Sequence, residues 1–140
     1  MRIVGLDIGR KTIGVALSDP DGLIAQPITT IKRTMLSRDI EEVLNIAREN
    51  AAEKIIAGLP LKMDGSSSPQ TEFVLKFLDK LGKATELPIE TWDERLSTAA
   101  VERLLIEGDM SRARRKEVVD KLAASYILQG YLDSLRKRAE

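Results

Sequence analysis

MRIVGLDIGRKTIGVALSDP, residues 1–20, holds two runs rich in apolar and β-branched residues, RIVGLDIG (2–9) and TIGVALSD (12–19). Only Arg10-Lys11 separates them, and two such runs with so short a connection predict a β-hairpin. Asp7 breaks into the first run. Alternation along a strand puts it on the face of Ile3 and Gly5, opposite Val4, Leu6 and Ile8. It either begins a turn or holds something charged, because a bare carboxylate in a central strand is costly unless paired or metal-bound.

Outward from the hairpin, PDG (20–22) marks a turn, and a third strand is predicted from Leu23 to about Ile31. Leu36, Ile40, Val43, Leu44, Ala47 and Ala51 then recur at helical spacing, so 36–50 reads as an amphipathic helix. KIIAG (54–58) is a short apolar strand, and LPLKMDGSSSPQ (59–70) is a loop. At its end Ser68-Pro69 has the form of a helix cap followed by proline in the first turn. Phe73, Val74, Phe77, Leu78 and Leu81 form the next helical stripe, with Gly82 as its expected stop. LPIETWDE (87–94) is another strand. Ser97 is the expected cap of a helix through Ile106 that ends at Gly108. A basic loop and a long helix from about Arg115 to Lys137 follow.

The order β-β-β-α-β-α-β-α-α implies an α/β fold. Its mixed five-stranded sheet has three antiparallel and then two parallel strands, flanked by helices. No linker or repeat interrupts the chain, so residues 1–140 are expected to form a single domain.

Composition narrows the chemistry. The chain has neither cysteine nor histidine, which removes disulfides, thiolate or imidazole metal ligands and the Ser-His-Asp triad. Any catalysis must rest on carboxylates, lysine, hydroxyls or a metal held by oxygen. A mean hydropathy of −0.16 and the lack of any apolar run near the roughly 20 residues of a membrane span point to a cytoplasmic protein without a membrane role. Lysine plus arginine equals aspartate plus glutamate at 22 each, so a net charge of zero leaves nucleic-acid binding to local patches. RARRKEVVDK (112–121) is one such patch, with five basic and two acidic residues, and RKR (136–138) is another. Each reads equally as a solvated helix face.

Three acidic positions stand out. Asp7 is the first. Asp93 and Glu94, in WDER (92–95), fall at the carboxyl end of the last strand, where ligand sites of α/β sheets gather. Asp120 shares its helix face with Ala123, Ala124, Ile127, Tyr131 and Leu135, an apolar face. Pairing with Lys11, Arg95 or Lys116 would satisfy any one of these acids. Convergence of all three would instead require a divalent cation to offset their repulsion, and oxygen-only ligation favours Mg²⁺ or Mn²⁺.

GLDIGRKTIGVALSD, GLPLKMDG, DERLST and KEVVDKLAASYILQGYLD resemble the four sequence blocks of the YqgF family, also called RuvX, in order and at fitting spacings from residue 2 to about 133. That family resembles Holliday-junction resolvases and has the RNase H-like fold. The resemblance implies that Asp7, an acid of the DER block and Asp120 form the metal-binding and catalytic set. Glu94 is preferred to Asp93 for its longer reach. Lys11, Lys62, Arg95 and Lys116 are then candidates for phosphate contacts, with Gly9 letting the hairpin turn near a phosphate. Trp92 suits the core better than a base-stacking role, and Asp64-Gly65 reads as a turn.

The function implied is a metal-dependent endonuclease on structured nucleic acid, maturing the 5′ end of pre-16S ribosomal RNA, on ribosomal particles or free precursor. The alternatives are resolution of branched four-way DNA and a non-catalytic, RNA-binding role in ribosome assembly. Monomer and homodimer both remain open. The hairpin also resembles the phosphate-binding hairpin of actin-like ATPases, which need two such domains and an adenosine pocket.

Overall fold

The computed structural model describes residues 1–95 and 112–139, with the last helix described by its backbone alone over 112–121 and at 139. The opening hairpin consists of β1 (Ile3–Ile8) and β2 (Thr12–Ser18), paired antiparallel from Val4–Leu17 to Ile8–Ile13. β3 (Ala25–Lys32) adds antiparallel to β2, with a register shift between Val15 and Ala16. After α1 (Leu36–Glu49), β4 (Lys54–Leu59) returns parallel to β1 on its free edge. After α2 (Pro69–Lys83), β5 (Ile89–Asp93) lies parallel to β4. The strand order is β3-β2-β1-β4-β5, which is the mixed sheet expected, with β1 at its centre. The last described element is α3 (Arg112–Ala139).

Strand alternation splits the core in two. Val4, Leu6 and Ile8 of β1 join Ile13, Val15, Ile55 and Ala57 under α1 and α2. Ile3, Ala16 and Ile56 face the other way, against Ala124, Ile127, Leu128, Tyr131 and Leu132 of α3. Full burial of a residue such as Leu6 or Ile127 contributes roughly 1.5–3 kcal/mol. Gly5 sets the depth at which α3 packs, since a Cβ there would lie 2.7 Å from Leu128 Cβ. The polypeptide direction of α3 follows from its contacts. Ala124 lies over Gly5, Ile127 over Gly58, and the Tyr131 hydroxyl meets Lys54 Nζ (2.5 Å) at the start of β4. The helix therefore descends from the carboxyl ends of β1 and β4 towards their amino ends.

Local signals explain most boundaries. Ser68 Oγ accepts the Thr71 N–H (3.2 Å) and Thr71 Oγ1 accepts the Ser68 N–H (2.9 Å), a reciprocal cap with Pro69 in the first turn. Asp64 Oδ1 accepts the Ser66 N–H (2.9 Å), and Gly65 takes φ +86°, so DGS is the turn expected. Gly82 does not stop α2 as the sequence implies. The helix continues to Lys83 and ends at Ala84, whose N–H reaches Leu81 O. Leu81 is fully buried, and its packing outweighs the roughly 1 kcal/mol that glycine costs a helix. Part of the basic loop expected before Arg115 is already helical, from Arg112. The helix expected from Ser97 through Ile106, with its stop at Gly108, lies outside the described residues. No helix among those described is long and apolar enough to cross a membrane.

Candidate functional site

The carboxyl ends of β1, β4 and β5 converge beneath α3. Asp7 is the penultimate residue of β1, paired with Gly14 of β2, and it lies on the α3 face with Ile3 and Gly5. It is half-buried and engaged in interactions of its own. β5 sits in register with Gly58 opposite Trp92 and Leu59 opposite Asp93. Trp92 points to α3, where it meets the Tyr131 ring edge-on (6.1 Å between centroids) and contacts Gly130. It is therefore core, as its sequence context suggests. Two residues further on, Glu94 returns to the same face, while Asp93 between them does not.

Glu94 and Asp93 consequently meet different surroundings. Asp93 forms a two-pronged pair with Arg95, Nε to Oδ2 at 2.8 Å and Nη2 to Oδ2 at 2.5 Å, and this holds its carboxyl below the usual range. The same pair raises the Arg95 guanidinium pKa. Both side chains are about one-third exposed, so solvent screens the pair and it adds little to stability. Glu94 Oε2 is buried and finds no hydrogen-bond partner among the described residues. Its burial, then the charge of Asp7, then that of Asp93 push its pKa from 4.5 up to about 7.

The cavity that admits Glu94 is made by Gly58. A Cβ at that position would come within 2.4 Å of Glu94 Oε2 and 2.5 Å of Ile127 Cδ1. The sequence signal was present, since a glycine in the otherwise aliphatic KIIAGL often marks a close approach. What approaches it became visible only in the fold.

The other candidate positions spread around this edge. Lys11 is exposed at the tip of the β1–β2 hairpin, which is closed by Gly9 N–H to Thr12 O (2.9 Å) and Arg33 N–H to Lys11 O (2.9 Å). Gly9 is not among the described glycines with positive φ. Its restriction is space, with Thr12 O 3.0 Å from where a Cβ would sit. Lys62 is exposed in the loop after β4, and Arg95 Nη1 donates to Met63 O (3.1 Å) in that loop. Arg95 is thus committed to Asp93 and to the Lys62 loop. Asp120 and Lys116 lie in the part of α3 whose side chains fall outside the described residues. Among the described residues no three acids form a group that could hold a metal ion.

A residue the sequence reading passed over, Arg33, organises the hairpin from behind. Its Nη1 donates to Gly9 O (3.0 Å), and its Nε pairs with Asp39 Oδ2 (3.0 Å), a carboxylate only 1% exposed. Asp39 Oδ1 also accepts the Thr34 N–H (3.1 Å), so both of its oxygens are satisfied. The only hint in the sequence was an acid at an otherwise ordinary first-turn position of α1.

Comparison with known proteins places this geometry. The family model described as "RuvX: Holliday junction resolvase" matches residues 1–134. A Clostridium kluyveri protein named "Putative pre-16S rRNA nuclease" is 57% identical over 137 residues, spanning 98% of this chain and all of the relative. A Clostridium tetani protein of the same name is 56% identical over 135 residues, spanning 96% of this chain and 98% of the relative. In three dimensions the chain resembles Thermus thermophilus RuvC in complex with a Holliday junction, with TM-score 0.62, 15% identity, and 98% and 96% of the two chains covered. It also resembles the fowlpox virus resolvase bound to Holliday junction DNA, with TM-score 0.54, 16% identity, and 96% and 99% covered. At those identities the likeness concerns the fold, which is RNase H-like. With a family model matched along almost its whole length and relatives more than half identical, the chain belongs to the RuvX family of RNase H-like nucleases.

Proposed function

We propose that the protein is a divalent-metal-dependent endonuclease that matures the 5′ end of pre-16S ribosomal RNA. In this reading it works as a single domain in the cytoplasm, on precursor RNA or ribosomal particles. The relatives' names support the substrate. The observation that carries the chemistry is the Glu94 carboxyl group, whose Oε2 is buried and unpartnered among the described residues and whose pKa is raised first by that burial and then by the charge of Asp7. Two facing carboxylates with an unused buried oxygen suit a hard cation with oxygen ligands, Mg²⁺ or Mn²⁺. Asp7 and Glu94 would hold it, with Asp120 of α3 as the proposed third ligand. Such an ion supplies Lewis-acid stabilisation of the charge that develops at a scissile phosphate.

The chain's own residues supply the rest. Asp7 is fixed by the central strand, and Glu94 by the register of β5 on β4. Ile127 and Gly58 pack beside the Glu94 carboxyl group and leave it the space that a larger residue at 58 would take. Lys11 on the hairpin and Lys62 on the loop after β4 would bring positive charge to the rim, and Lys116 of α3 is the further candidate for a phosphate contact. Arg95 holds the Lys62 loop through Met63 O while its own charge adds to the rim.

The test is cleavage with Mg²⁺ or Mn²⁺ of a pre-16S leader RNA beside a four-way DNA junction, comparing wild type with Asp7→Asn. Cutting of the RNA by wild type alone is the expected result. Junction cleavage without RNA cleavage would move the resolvase reading, which the family description favours, to first place. A resolvase making paired cuts would also have to be a symmetric dimer. Undiminished cleavage by Asp7→Asn would remove Asp7 from the site, and cleavage of neither substrate by wild type would favour a non-catalytic assembly factor.

A further inference from the structure

A groove of about 480 Å³ opens on the opposite face of the hairpin from Asp7, between the start of α1 and the middle turns of α2. Its floor is apolar, formed by Leu36 and the partly exposed Phe73 with the buried core residue Phe77 behind them, and its rim carries Lys76, Asp79 and Lys80 from α2. Arg10, at the exposed hairpin tip, lies over the Phe73 ring at 4.6 Å, and Arg33 lies 5.1 Å from the same ring. The acids nearby are already engaged, Asp39 by Arg33 and Asp79 by Lys83 (3.2 Å). Arg10, Lys76 and Lys80 enter no ion pair among the described residues. Only Ile8 and Gly9 lie between Asp7 and Arg10, so the backbone at Arg10, whose guanidinium covers the groove's Phe73, is within about 11 Å of that at Asp7.

We propose that this groove binds a single-stranded stretch of the nucleic-acid substrate next to the cut. An aromatic floor beneath arginine guanidinium groups, flanked by lysines, is the combination that takes up unpaired bases and their phosphates. The bases stack on ring and guanidinium faces while the cations meet the backbone. The volume is that of an ordinary small-ligand cleft, roughly 300–1,000 Å³, with room for a base and its sugar. Charge favours this occupant over an apolar protein segment, because the groove's unpaired charges are all positive, and the exposed face of Phe73 between cations favours a planar base. The inference rests on the nuclease reading only in so far as the substrate is nucleic acid.

The experiment is a binding titration, without metal so that nothing is cut, of two labelled RNA hairpins. One is blunt and the other carries a short oligouridine extension. Wild type should bind the extended hairpin more tightly. Lys76→Gln/Lys80→Gln, at two exposed positions, should lose roughly tenfold on the extended hairpin alone. Its log–log salt slope should become shallower by about 0.7 for each lysine removed. Arg10→Ala, on an exposed turn, should shift the extended hairpin in the same direction. Thermal melting of each variant verifies that it is folded. Absence of any preference for the extension in wild type would overturn the inference, as would equal losses on both RNAs or none. Loss of small-subunit association with both RNA affinities unchanged would overturn it too, assigning the groove to a protein. If the preference depends on these residues while pre-16S RNA is never cut, the groove stands and the nuclease reading falls.

Discussion

Glu94 should make the metal-free protein less stable as pH rises, and Glu94→Gln should relieve that. Each tenfold change in proton affinity corresponds to 1.36 kcal/mol. Raising the carboxyl pKa from 4.5 to about 7 therefore penalises the ionised folded state by about 3 kcal/mol. This is an upper bound, because water reaches part of the side chain. Below pH 4.5 the group is neutral whether folded or unfolded and costs nothing. Between 4.5 and about 7 the unfolded chain releases its proton before the folded chain does, so stability falls as pH rises. Above 7 the whole penalty applies. Glutamine preserves the shape without titrating. The variant should match wild type near pH 4 and exceed it by up to about 3 kcal/mol at pH 8, a large fraction of ordinary domain stability. Cleavage should nevertheless be lost. Urea unfolding at a series of pH values reads the difference directly, and Mn²⁺ should narrow it by stabilising wild type alone. A wild-type-minus-variant difference that stays flat from pH 5 to 8, or reverses in sign, would refute the reasoning.

Two further perturbations test the packing that sustains the site. Gly58→Ala forces a methyl to within 2.4 Å of Glu94 Oε2, whereas Gly5→Ala meets Leu128 Cβ at 2.7 Å away from the acids. Both should cost about 1–3 kcal/mol in thermal unfolding. Only Gly58→Ala should reduce cleavage by more than its folded fraction explains, so equal activity losses at equal folding would contradict the cavity argument. Asp39→Ala removes the buried partner of Arg33 and should destabilise by about 3–5 kcal/mol, with the hairpin amides near Gly9 losing protection from hydrogen exchange. Unchanged exchange at Gly9 would show that Arg33 does not hold the turn.

Local chemistry alone identified much of this molecule. Two apolar runs parted by Arg10-Lys11 could pair only as a hairpin, and Ser68-Pro69 capped α2 where it stood, because these signals act between residues a few positions apart. Alternation put Asp7 on the face of Ile3 and Gly5 for the same reason. Gly82 misled because a local preference met Leu81, whose burial comes from distant chain. The difference between Asp93 and Glu94 was likewise beyond local reading. Neighbouring strand residues point to opposite faces, but which face lies under α3 depends on the pairing of Gly58 with Trp92, between strands 34 positions apart. The orphaned Glu94 oxygen, the Gly58 cavity and the Arg33 bridge to Gly9 share that origin. Sequence determined which residues carried charge and which way each faced within its own strand or helix. Only long-range packing decided which of those charges would meet, and whether water would be there to screen them.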